Sequence, residues 1–207
     1  MPLKDCQSPD ELVKLCGDAI AVPHHIGYTP GYRGINWDAF INANSPVVEV
    51  YSKHGCAMDE EADYPYYHNM GPRDSRNTVM EGLRRGYKFG FVGSTDHHAG
   101  FPGSYGDGLA AVLAEKKTRE SLFAAIKARR TYAVTGDRIL CDFRVNDAIM
   151  GSEITAANRR ITGRFETEYA LDKIVLYKNG RPVHVINGQW AGENRKPGRY
   201  KIRVEFG

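Results

Sequence analysis

The sequence is short of cysteine, of long apolar runs and of net charge, and each shortage removes a class of protein. Its four cysteines, Cys6, Cys16, Cys56 and Cys141, form no CxxC pair and no dense framework. Neither a disulfide scaffold nor a zinc knuckle is therefore expected, and the thiols read as reduced. No stretch approaches the roughly 18 apolar residues of a membrane span, and the opening MPLKDCQSPDELVKL lacks the apolar centre of a signal peptide. With Met1 as the true start, no membrane is expected and the compartment is the cytoplasm by default. The 28 Lys and Arg against 25 Asp and Glu leave a charge of only +3. The basic pairs Arg84–Arg85, Lys116–Lys117, Arg129–Arg130 and Arg159–Arg160 are scattered, which makes solvated faces rather than a phosphate groove, so no nucleic acid is expected as a partner. The chain also has no G-x-S-x-G elbow, no Walker lysine and no dinucleotide fingerprint, which sets aside a serine hydrolase and the common phosphate-binding loops.

What is present suits a globular protein with one large core or two small ones: 207 residues, 42% hydrophobic, with 22 glycines for turns and close approaches. Ser8 stands three residues before Glu11 with Pro9 between, a capping box that starts a helix ending near Gly17. AIAVP, residues 19–23, reads as a short buried strand stopped by Pro23. INWDAFI suggests a helical turn or two, and PVVEVYS, residues 46–52, is the next strand. Residues 53–77, His68 among them, read as a long aperiodic loop of the kind that covers a site. TVMEGLRRG predicts a helix closed by Gly86, YKFGFVGS a strand, and GFPGSYGDG a glycine-rich loop. LAAVLAE is open between strand and helix, and RESLFAAIKARR predicts an amphipathic helix capped by Thr118. From Thr131 onward the runs are all strand-like, and Asn179-Gly180 between two of them signals a two-residue hairpin turn. The expected division is therefore an α/β region over residues 1–137 and a small all-β extension over residues 138–207, part of a sandwich.

Three predicted strands end in residues with metal-ligand chemistry: His24 and His25, Glu49 with His54, and Asp96 with His97 and His98. In parallel α/β architectures the strand C-termini aim side chains at one volume. Within TDHH an extended backbone would put Asp96 and His98 on one side and His97 on the other, so D-x-H is a two-ligand bite for one ion. Carboxylate oxygen with imidazole nitrogen suits a divalent transition metal, zinc, manganese or iron, and such an ion can activate water. Of the adjacent His24 and His25, His24 follows the strand directly and is the expected ligand. Each feature has a plain alternative: a His-His pair can be ordinary hydrogen-bonded surface, Asp96 a turn cap, and Glu49 either an orienting group or a paired core carboxylate. Lys53 and His54 read as loop or substrate-facing residues, and His184 as ordinary.

IAVPHH, VVEVYSKHG and FVGSTDHHAG together resemble the C-terminal half of the polymerase and histidinol phosphatase (PHP) superfamily of metal-dependent phosphoesterases. ARRTYAVTGDRI followed by a β-rich tail resembles an uncharacterised branch of it. The resemblance implies a partial, distorted, TIM-like (β/α) barrel with His24, Asp96 and His98 as metal ligands. It places Glu49 and His54 along the site, and His25, Lys53, Arg33 and His97 are further candidates for its lining. It further implies a hydrolase in which metal-bound water attacks a small phosphate ester, with Lys53, Arg33 or His54 contacting the anion. The family begins with an H-x-H motif that this chain lacks, so the expectation is a fragment of a longer protein, incomplete or inactive as a catalyst. A homo-oligomer would then cover the edges of the half barrel. The alternative is a non-catalytic metal-binding or interaction module.

Overall fold

The computed structural model describes residues 6–62, 71–104, 107–188 and 199–206, the last stretch by its backbone alone. The chain divides into two compact units, residues 1–135 and 136–207.

In the first unit, helix α1 (Pro9–Cys16) begins where Ser8 Oγ accepts the Glu11 N–H at 3.2 Å. Glu11 returns the bond one residue early, its Oε2 accepting from the Gln7 N–H at 2.9 Å. Strand β1 (Val47–Ser52) is the middle of a three-stranded sheet, and its apolar run is buried almost throughout, as a strand covered on both faces requires. On one side β2 (Gly55–Cys56) returns antiparallel after a turn at Lys53 and His54. Helix α2 (Val79–Arg84) then leads to β3 (Gly90–Gly93), which pairs parallel with the other side of β1. Strands β4 (Leu109–Val112) and β5 (Thr131–Val134) form a separate antiparallel ladder. Helix α3 (Arg119–Lys127) lies between them in sequence, with Thr118 Oγ1 accepting the Ser121 N–H at 3.3 Å. That ladder lies close against β3: a Cβ at Gly93 would stand 2.7 Å from the Leu109 carbonyl oxygen, an approach open only to glycine.

The core gathers Ile26, Tyr28, Trp37, Val48, Val50, Ala57, Val79 and Phe89. Trp37 stacks between aromatic neighbours, with ring centroids 6.0 Å from Tyr87 and 5.8 Å from Phe89. Gly82 lets α2 rest on the indole, since a Cβ there would fall 2.4 Å from Trp37 Cη2.

In the second unit, β6 (Leu140–Val145), β7 (Ala148–Ile149), β8 (Arg159–Glu166) and β11 (Arg199–Phe206) make one antiparallel sheet in the order β11-β8-β6-β7. Strands β9 (Lys173–Lys178) and β10 (Arg181–Asn187) form a separate hairpin. Asn179 and Gly180 take φ of 51° and 74° at its turn, the left-handed pair that matches strand twist.

The expected partial (β/α) barrel is not there, and the PHP resemblance loses its architectural basis. The described strands fall into four small sheets, none closed on itself, with three α-helices among the described residues. A barrel needs successive strands in parallel register within one sheet. Among the described strands β1 and β3 alone pair that way, while β4 and β5 pair with each other antiparallel. The strand expected at residues 19–23 does not form: Ala21 donates to the Asn44 carbonyl and Pro23 accepts from the Glu49 N–H, without a ladder. The expected self-association rested on half-barrel edges, a premise that goes with the barrel. Residues 53–77 are not one loop, since they hold β2 and a 3₁₀ turn at Ser75–Asn77. His68 and residues 105–106 of the glycine-rich loop lie outside the described residues.

Candidate metal centre

The C-terminal ends of β1 and β3 lie side by side because the strands are parallel, and the chemistry-bearing residues follow from that. Glu49 sits in β1 opposite Val92, and a bulge separates it from Tyr51. His54 occupies the β1–β2 turn, its N–H donating to Ser52 Oγ at 3.2 Å. Asp96 and His98 come just after β3. The Pro23 carbonyl's bond to the Glu49 N–H at 3.0 Å ties the segment carrying His24 and His25 to the same strand.

Two clusters form around Asp96. One is His24, His25 and Asp96; the other is His54, Asp96 and His98, and each set offers ligand atoms within 4.8 Å of one another. These residues can coordinate a divalent metal ion. The three residues expected to share one ion are thus divided, with His24 and His98 in different clusters that have Asp96 in common. Asp96 Oδ2 is buried and closes no well-directed hydrogen bond among the described residues. His54 Nε2 stands 2.8 Å from it and His98 Nε2 3.9 Å from Oδ1. An acceptor-only oxygen faced by imidazole nitrogens is a donor set that a cation satisfies.

Local backbone explains the grouping. Asp96 takes φ of 45° and His25 φ of 61°, the left-handed region that Asp and His enter more readily than most residues. The TDHH segment is therefore not simply extended, and alternation does not describe it. The turn at Asp96 brings Oδ1 toward His98, while His97 Nδ1 accepts from the Ala99 and Phe101 N–H groups at 3.2 and 3.4 Å. His97 thus organises its own loop and belongs to neither cluster. The turn at His25 brings its ring against that of His24, centroids 3.5 Å apart and planes tilted by 39°, so both imidazoles come within reach of Asp96. Sequence reasoning favoured His24 as the ligand and kept His25 only among the residues lining the site. The only sequence signal against that was the His-Ile-Gly turn, with Gly27 also at positive φ.

The neighbours tune these groups. Glu49, 6% exposed, holds His24 Nδ1 at 3.3 Å with one oxygen and accepts from Ser94 Oγ with the other. That carboxylate contact raises the His24 pKa above the usual imidazole value. Burial, reinforced by the neighbouring His24, pushes His25 down. Burial also pushes His54 down, with Asp96 opposing. Lowered values favour the neutral imidazole, the form that binds metal. Lys53 Nζ lies 2.8 Å from His98 Nδ1, beside the second cluster. Arg33 is exposed and in neither cluster, and His184 is exposed on β10 in the other unit.

Comparison with known proteins finds one family model that is similar to part of the chain. Residues 104–163 match a family described as "Protein of unknown function (DUF3604)". The match is not to the PHP superfamily, and with the open sheets it overturns that resemblance and the phosphoesterase terms that came with it. It begins after His98, so none of the clustered residues lies inside it. An uncharacterized protein of Chlamydia muridarum is 35% identical over 158 residues, 68% of this chain and 25% of its own length. One from Chlamydia pneumoniae is 33% identical over 171 residues, 74% of this chain and 28% of its own. The chain thus spans about a quarter of the length of the curated relatives it matches. No solved structure matches the chain. Among the described residues no helix is long and apolar enough to cross a membrane.

Proposed function

We propose that the chain is a metal-binding module whose ion sits against Asp96, held by imidazoles from His24 and His25, from His54 and His98, or from both pairs. The observation that carries this reading is the half-buried Asp96 carboxylate, shared by both clusters, whose buried Oδ2 lacks a well-directed hydrogen bond. A carboxylate with several imidazoles favours zinc, manganese or iron over calcium or magnesium, which prefer all-oxygen sites. The Glu49 contact to His24 is the carboxylate–histidine support that fixes ring orientation beside a metal.

The test is elemental analysis of the purified chain beside Asp96→Asn. Asparagine tolerates the left-handed backbone that Asp96 adopts and removes the shared anion, so loss of metal in a folded variant reports on the ligand. Near-stoichiometric zinc, manganese or iron, lost in Asp96→Asn, is expected. Equal metal content in both proteins would overturn the reading. His24→Ala and His54→Ala then assign the ion to one cluster or the other.

A further inference from the structure

Glu49 is a buried carboxylate, and such a group is tolerated where its oxygens are bonded. Both are: Oε1 meets His24 Nδ1 at 3.3 Å, and Oε2 accepts the Ser94 hydroxyl proton. A chain of contacts therefore runs from Ser94, just after β3, through Glu49 in β1 to His24 in the first cluster around Asp96.

Ser94 is set in place by the sheet. Val92 pairs with Glu49 in the parallel ladder, and Ser94, two residues on, falls on the same face. Its N–H donates to the Tyr51 carbonyl at 2.9 Å. Its own carbonyl packs against Gly108, where a Cβ would come 2.5 Å from that oxygen. Gly108 lies in the stretch that matches the family model, so that stretch braces Ser94 although it contains none of the clustered residues.

The other end of the chain of contacts is His24. The residue before it is anchored to Glu49 as well, the Pro23 carbonyl accepting the Glu49 N–H at 3.0 Å. A carboxylate can only accept, so in the neutral His24 ring Nδ1 carries the proton and Nε2 keeps the lone pair that a metal ion needs. A glutamate held through one oxygen alone can swing about its terminal torsion, whose preference is broad. The bond from Ser94 to the second oxygen removes that freedom.

We propose that Ser94 is a positioning residue for the metal centre: its hydroxyl fixes the Glu49 carboxylate, which holds His24 as the Nδ1–H tautomer with Nε2 free for the ion. The part Ser94 plays in metal binding rests on the metal-binding reading above. The tautomer of His24 does not, because it is a property of the metal-free chain.

The experiment labels the histidines with ¹⁵N and reads the ring nitrogens of the metal-free chain near pH 9, where imidazole is neutral. It compares the wild type with Ser94→Ala and Ser94→Thr, and His24→Ala identifies the His24 signals. Zinc affinity of the same proteins is measured by competition with a chromogenic chelator. The wild type is expected to show His24 as a single tautomer, protonated at Nδ1. Ser94→Ala should give mixed tautomers and bind zinc at least tenfold more weakly, the effect of losing a group that supports a ligand. Ser94→Thr keeps the hydroxyl and should match the wild type in both. The backbone amide spectrum of each variant shows that it is folded. A single Nδ1–H tautomer or an unchanged zinc affinity in Ser94→Ala would overturn the proposal. A wild type protonated at Nε2, or Ser94→Thr as disturbed as Ser94→Ala, would do the same. No zinc binding in the wild type, with the tautomer shift still present in Ser94→Ala, would instead overturn the metal reading and leave Ser94 as the residue that orients His24.

Discussion

Lys53 Nζ stands 2.8 Å from His98 Nδ1, and an ammonium group can only donate, so Nδ1 supplies the lone pair. Neutral His98 then carries its proton on Nε2, the nitrogen that faces Asp96. A ligand nitrogen needs its lone pair free, so Lys53 and a metal ion compete for this imidazole. Lys53→Met keeps the aliphatic stem and removes both the competing hydrogen bond and the like charge. It is expected to tighten zinc binding at the second cluster by roughly tenfold, the equivalent of about 1.4 kcal/mol for a charged hydrogen bond. A competitive titration against a chromogenic chelator reads this, and unchanged or weaker binding would show that Lys53 does not oppose the ion. Cys141 offers a check on burial in the other unit: burial, with Asp142 adding to it, pushes its thiol up to about 11. Because the thiolate is the nucleophile, only about one molecule in a thousand is reactive at pH 8. Iodoacetamide at that pH should label the exposed Cys16 well before Cys141, and labelling of Cys141 should accelerate only as the pH nears 11. Equal rates at pH 8 would contradict the burial.

Helix α2 shows packing overriding propensity. Gly82 lies in the helix interior, where alanine would ordinarily gain about 1 kcal/mol. The alanine methyl would instead fall 2.4 Å from Trp37 Cη2, and the indole is held by Tyr87, Phe89 and Phe40. Overpacking a rigid neighbour costs about 1–3 kcal/mol, so Gly82→Ala is expected to destabilise the protein, read as a lower urea midpoint without a change in slope. A higher midpoint would mean that the indole yields. The β1–β3 pairing works at the same scale. Its parallel register sets Glu49 beside Val92 and brings the β1–β2 turn and the segment after β3 to one end, which is how residues over forty positions apart come to share a carboxylate.

At the scale of the whole molecule, all the clustered residues belong to the unit over residues 1–135. An ion at about 100 times its dissociation constant stabilises the state that binds it by about 2.7 kcal/mol. Amide exchange is therefore expected to slow on zinc addition in Val47–Ser52 and Gly90–Gly93, and to stay unchanged in the β9–β10 hairpin of the other unit. Equal protection in the hairpin would show the two units to be energetically coupled, and none in β1 and β3 would argue against an ion at Asp96.

Local signals in the sequence were enough to determine the caps of α1 and α3, the run of β1 and the Asn179-Gly180 hairpin, because each depends on neighbours within a few residues. The presence of carboxylate and imidazole at the ends of apolar runs was legible in the same way. Sheet assembly was not, since an apolar run has the same period whether it pairs parallel or antiparallel, and the expected barrel gave way to four open sheets. The missing strand at residues 19–23 has the same origin: its apolar run found single bonds to Asn44 and Glu49 in place of a ladder. Only the tertiary structure placed His25 with His24 and split His24 from His98. Two backbone torsions in the left-handed region, at His25 and Asp96, decide which atoms meet, and no spacing rule written for extended chain contains them.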